Sequence, residues 1–142
     1  MRQVKHLLES KGRDVVTASP TDTVLSALER MAEHGIGALV VMDGDTLAGL
    51  MSERDYARKV ILKSRHSSDT PVAEIMSTPV ITIGPEASVA ECMALCTRKR
   101  MRHLPVIEDN RLVGLVSIGD LVKAVIDDQS EEIEHLQNYI AG

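Results

Sequence analysis

Tryptophan and phenylalanine are missing from this chain, and Tyr56 and Tyr139 are its only aromatic residues apart from histidine. The core must therefore be built from Val, Ile, Leu, Met and Ala, and any bound base must be gripped by aliphatic side chains. Proteins that bind single-stranded nucleic acid stack bases on aromatic platforms, and a phosphate backbone needs a basic surface. With a net charge of -5 as well, the chain is not expected to partner nucleic acid. Cysteine is nearly as scarce. Cys92 and Cys96 lie four apart in a helical pattern, on one face but poorly placed for a disulfide, and read as reduced core residues. The five histidines (His6, His34, His66, His103 and His135) show no ligand spacing, so no metal is expected. No apolar run approaches the roughly 18 residues of a membrane span. The opening MRQVKHLLESKGRD is charged throughout, unlike a signal peptide. The acidic balance also disfavours a membrane surface, and a soluble cytoplasmic protein is expected.

What is present is globular. Hydrophobic residues make up 44% of the 142 and charged residues 26%. A chain of this size can bury about two thirds of its unfolded surface and hold a core without staples. Residues 15–60 align without a gap on residues 80–125, at a constant offset of 65. Val15 matches Val80, Thr17 matches Thr82, Pro20 matches Pro85, Val24 matches Val89, Leu39 matches Leu104 and Val41 matches Val106. Leu47, Gly49, Leu50, Ser52, Asp55 and Val60 match Leu112, Gly114, Leu115, Ser117, Asp120 and Val125. The chain is an internal duplication.

Each copy reads as strand, helix, strand, strand, helix. A β-branched strand (15–18; 80–83) leads through proline to an amphipathic helix (about 22–33; 87–99), with Asp22 or Thr23, and Ser88, as candidate N-caps. Two apolar strands follow (37–42 with 46–51; 102–107 with 111–116). Asp43-Gly44-Asp45 and Glu108-Asp109-Asn110 turn them into hairpins. A second helix starts at Ser52 or Ser117 and runs to about 63 or 127. One such unit leaves an apolar face that its copy is placed to cover, so the two form one α+β domain. Residues 64–79 read as a polar connection with one helical turn. The expected organisation is 1–70 as the first repeat with an N-terminal segment, 71–127 as the second, and 128–142 as a helical tail. That tail carries apolar residues at helical spacing around a polar gap at Asp127–Ser130, and it reads as one helix or two. A dimer partner is one place to bury its apolar surface.

The doubled GLMSERD (49–55) and GLVSIGD (114–120), together with RHLPV (102–106), resemble the cystathionine β-synthase (CBS) domain pair, or Bateman module, over nearly the whole chain. The resemblance implies a pseudo-twofold pair of tandem repeats with AMP, ADP, ATP or NAD(H) bound in the cleft between them. It also implies a homodimer, and a regulatory rather than catalytic role in ligand sensing and signal transduction through an effector protein that the sequence does not identify. No nucleophile–base set, Walker loop or metal cluster in the sequence points to an enzyme, and no catalytic cofactor is expected.

The residues suit such a ligand. Ser52 and Ser117 stand where a strand hands over to a helix, whose free N–H groups attract a phosphate that the hydroxyl can also reach. Asp55 and Asp120, one turn in, can accept from both ribose hydroxyls. Ser-x-x-Asp before an apolar helix is equally a capping box, which leaves open a structural or dimerising scaffold whose motifs are caps only. The resemblance implies a ribose role for at least one Asp. Arg98, Lys99, Arg100, Arg102 and His103 make the helix-to-strand junction of the second copy basic, where the first has Glu33, His34, Gly35, Ile36 and Gly37, so the two sites should differ; Arg102 and His103 lead into Leu104-Pro105-Val106 and are placed for phosphates. Arg54 and Arg58 add charge beside the first motif. Val16-Thr17 and Ile81-Thr82 are candidates to line an adenine slot, or are plain core.

Overall fold

A computed structural model describes residues 2–141. The duplication reappears in it as strand register. Strand β2 (Ala38–Asp43) pairs antiparallel with β3 (Thr46–Ser52), and β4 (His103–Glu108) pairs with β5 (Arg111–Ser117). Ala38 faces Ser52 as His103 faces Ser117, and the ladder shifts at equivalent points, Val41/Met42 and Val106/Ile107. The tight hairpin loops need positive φ, which Gly44 supplies at 62° and Asp109 and Asn110 at 52° and 63°.

The helices begin where their caps allow. Helix α2 (Val24–His34) starts with Thr23 Oγ1 accepting the Ser26 N–H at 3.1 Å, and α4 (Val89–Lys99) with Ser88 Oγ accepting the Glu91 N–H at 3.0 Å. Both end on a left-handed residue, Gly35 in one copy and Arg100 in the other.

The first strands are shorter than expected. Strand β1 is only Thr17–Ala18, parallel to β2, which gives a sheet ordered β1-β2-β3. In the second copy, 80–83 contributes a single bridge at Ile83, whose N–H donates to the Pro105 carbonyl and whose carbonyl accepts from Ile107. A segment hemmed between Pro79 and Gly84-Pro85 has little length in which to build a ladder. The second helices also differ. In the first copy, α3 (Glu53–Tyr56) widens into a π-helical turn, Ala57–Ile61, and the chain turns away by Ser64 at φ 55°. In the second copy, α5 runs unbroken from Ile118 to Ala141, so the tail is one helix.

Each repeat is completed by a segment from outside it. Helix α1 (Val4–Lys11) inserts Val4, Leu7 and Leu8 into the core of the second repeat. The connection, through a 3-10 turn at Val72–Glu74, inserts Val72 and Ile75 into the core of the first. The two segments dock alike: the Val72 N–H donates to the Asp22 carbonyl at 2.8 Å, as the Val4 N–H does to that of Ala87 at 2.9 Å. Cys92 and Cys96 are buried free thiols, as their spacing suggested. Burial, with Cys96 and Glu91 nearby, pushes the Cys92 thiol up to about 11, and burial also raises that of Cys96. Both behave as core side chains rather than nucleophiles.

Candidate functional site

The strand-to-helix handover at Ser52 is a complete capping box. Ser52 Oγ accepts the Asp55 N–H at 3.1 Å, and Asp55 Oδ2 accepts the Ser52 N–H and hydroxyl, each at 3.0 Å. Asp55 Oδ1 accepts from the Ser77 hydroxyl at 3.0 Å and lies 3.1 Å from Lys59 Nζ. At 8% exposure this carboxylate has its acceptor positions filled from within the chain.

Beside it opens a cleft of about 470 Å³, within the usual range for small-molecule sites. One wall comes from the first repeat, through Gly37, Ala38, Leu50 and Ser52–Asp55, with Ser77 from the connection; the other is Arg100–His103 of the second. Arg54, beside Glu53 and Asp55 on the first wall, joins Arg100 and Arg102 on the second, so the cleft carries an excess of positive charge. Arg100 holds φ 55°, where the first copy has glycine. A side chain in that region costs about 1 kcal/mol, and here the strain sets a guanidinium at the mouth. Burial, with Lys11 and Arg102 nearby, outweighs the pull of Asp120 and holds His103 below its ordinary pKa, so it is neutral near pH 7.

The second Ser/Asp pair is closed by a residue from α1. Ser117 Oγ accepts the Asp120 N–H at 3.2 Å, and Asp120 Oδ2 accepts the Ser117 N–H at 2.8 Å. Lys11 Nζ then donates to Asp120 Oδ2 at 2.7 Å and to the Leu115 carbonyl at 2.8 Å. In the first repeat, Ser77 makes the equivalent pair of contacts, through its hydroxyl to Asp55 and its N–H to the Leu50 carbonyl. One ammonium thus does in the second copy what a serine does in the first. Burial works to raise the Asp120 pKa, but Lys11 and the Ser117 N–H prevail and lower it. A lowered carboxyl stabilises the fold above its unfolded value near 4 and loses that contribution as pH falls through the folded value. Lys11→Met is accordingly expected to lower stability by about 1 kcal/mol at pH 7, the upper end for a partly exposed pair. Urea unfolding along a pH series should show the deficit disappearing in acid; a deficit independent of pH contradicts this.

Of the residues singled out in the sequence, the cleft gathers Ser52, Arg54, Asp55, Arg102 and His103. Ser117 and Asp120 lie at the Lys11 contact instead. Val16 and Thr17 lie along the β1 edge, where the Thr17 carbonyl accepts from Arg30. Ile81 packs against the second core, Thr82 is exposed, and Pro105 is buried in β4. Among the described residues, no group of three His, Cys, Asp or Glu could hold a metal ion, and no helix is long and apolar enough to cross a membrane.

A model of the CBS domain matches residues 4–62 and 72–127. The mitochondrial CBS domain-containing protein CBSX3 of Arabidopsis thaliana is 40% identical over 98% of this chain and 72% of its own length. The CBS domain-containing protein YhcV of Bacillus subtilis is 34% identical over 82% of each chain. Among solved structures, a protein with CBS domains from Burkholderia ambifaria, assigned to signal transduction, superposes with a TM-score of 0.87 at 53% identity, covering 89% of this chain and 96% of that one.

Proposed function

Because this chain belongs to the CBS domain family and carries two of its repeats, we propose that it is a non-catalytic regulatory module that binds one adenine nucleotide, AMP, ADP, ATP or NAD(H), between those repeats and reports occupancy to an effector protein. The observation that carries this reading is the cleft itself, with a buried carboxylate of one repeat facing the guanidinium groups of the other across about 470 Å³. Arg54, Arg100 and Arg102 take the phosphates. The Ser77 hydroxyl turns aside to admit the ribose diol to Asp55. Ala38, Leu50 and Met101 offer the base aliphatic contact in a chain without Trp or Phe. A ligand touching both walls favours one relative packing of the repeats, and so changes the surface that a partner reads. The module acts as a homodimer, for which exposed Leu25, Ile61 and Leu62 of the first repeat and Ile118 and Val122 of the second supply apolar surface.

The Ser52–Asp55 cap is completed by the chain's own groups, which favours a second reading, a dimerising scaffold whose motifs are caps only. Thermal unfolding of nucleotide-free protein with AMP, ADP, ATP, NAD, NADH and GTP separates the two. A native-state ligand at 100 times its Kd adds about 2.7 kcal/mol, so a rise of several degrees with an adenosyl nucleotide is expected. No rise with any of them leaves the scaffold.

A further inference from the structure

Among the described residues, the only ion pairs or hydrogen bonds that reach the second half of α5 from elsewhere in the chain are those of Arg2. Every described residue from 128 to 141 is exposed, yet the helix continues to Ala141. A solvent-exposed helical stretch of this length, about 12–15 residues, gains little stability in water without an apolar surface to pack on. Its apolar side chains fall in a heptad: Ile126, Ile133 and Ile140 at one seam position, and Val122, Gln129 and Leu136 at the other. Ile126, Ile133 and Leu136 are 55%, 56% and 52% exposed, and Ile140 is 83% exposed. The opposite side is already engaged, with Arg2 Nε 3.0 Å from Asp128 and its NH2 3.5 Å from Glu131. The seam is left facing outward.

From this geometry we infer that residues 122–141 form a parallel two-stranded coiled coil with the same helix of a second copy of this chain. Ile at all three first seam positions, with Leu136 at the second, follows the pattern that favours two parallel strands. The flanking positions agree. In parallel register Val125 meets Ser130 of the second copy and Glu132 meets Gln137, so no like charges oppose one another. The acidic residues Asp127, Asp128, Glu131 and Glu134 all fall on the outer face. That acidic outer face is unsuited to a nucleic-acid or anionic lipid surface. Burying the seam side chains on two copies removes on the order of 1,000 Å² from water, the threshold for a specific interface. The family match ends at residue 127, so the seam lies almost wholly outside the repeats. The inference rests on the homodimer part of the reading above and is independent of the nucleotide.

The test compares the full wild-type chain with Ile133→Glu/Leu136→Glu by light scattering, and traps Ile140→Cys by mild oxidation. Wild type should have twice the chain mass, and the double variant should lose that doubling while keeping a cooperative unfolding transition, since both positions are exposed within the chain. Ile140→Cys should form an intermolecular disulfide at once, because seam positions of a parallel coil face their own copies and Cys92 and Cys96 are buried. A folded double variant that stays dimeric overturns the coiled coil while leaving a dimer through the repeats. A failure of Ile140→Cys to cross-link overturns the parallel register. A monomeric wild type overturns both the coil and the homodimer.

Discussion

Leu8→Ala is expected to destabilise the protein by about 3 kcal/mol, roughly 10 °C in Tm for a chain of this length. Leu8 is 1% exposed and sits over Gly114 of β5, where an added Cβ would lie 2.5 Å from its Cδ2. The same contact makes Gly114→Ala costly, about 1–3 kcal/mol, because Leu8 must leave its place. Once Leu8 is alanine, that obstacle is gone. The double variant should therefore be more stable than the sum of the two singles implies, by well over the roughly 0.5 kcal/mol within which independent sites add. Denaturant unfolding of the four proteins checks this. Additive losses would mean that α1 is not seated on the second repeat. Gly49→Ala is not expected to be rescued in the same way, because its new Cβ meets the Ser77 carbonyl at 3.0 Å as well as the Met76 side chain.

Arg100→Gln/Arg102→Gln is expected to weaken binding of a phosphate-bearing adenosyl ligand at least about tenfold, since each lost charge-assisted hydrogen bond removes about 1.5–3 kcal/mol. Adenosine, which lacks the phosphates, should bind wild type and variant alike. Asp55→Ala is a poorer probe, because it also removes the partners of Ser52, Ser77 and Lys59 and destabilises the fold. Arg100→Gly separates the two roles. Relief of the left-handed strain should raise stability by up to about 1 kcal/mol while affinity falls, a trade expected where strain serves a site. Competitive binding and thermal unfolding on the same samples would read both, and an Arg100→Gly protein that binds as tightly as wild type would take Arg100 out of the site.

What the sequence made legible was local. The two hairpins, the caps at Thr23 and Ser88 and the Ser-x-x-Asp boxes each depend on residues a few positions apart, and the offset of the duplication shows them twice. What it hid depends on distance along the chain. Lys11 meets Asp120 across a separation of 109 residues, and neither its charge nor its neighbours distinguish it from any surface lysine. Ser77 sits in a connection that reads only as polar. Val4 and Val72, equivalent in the docking of the two covering segments, are the one faint signal that these segments correspond. The first strands are shorter than their composition predicts because parallel pairing is non-local: β-branched runs at 15–18 and 80–83 have the right residues, but only Thr17–Ala18 and Ile83 find strand partners. The basic junction at 98–103 marked the second wall of the cleft. That Arg100 rather than Pro105 lines it follows from a backbone turn that composition does not reveal.

Calorimetric titration of nucleotide-free protein with the adenosyl ligand that most raises its Tm tests the central claim, one regulatory ligand in the cleft between the repeats. The account predicts one ligand per chain, because the first cleft is open while Lys11 already occupies the second Ser/Asp pair. Two ligands per chain would contradict the closure by Lys11, and no binding by any adenosyl nucleotide would contradict the site itself.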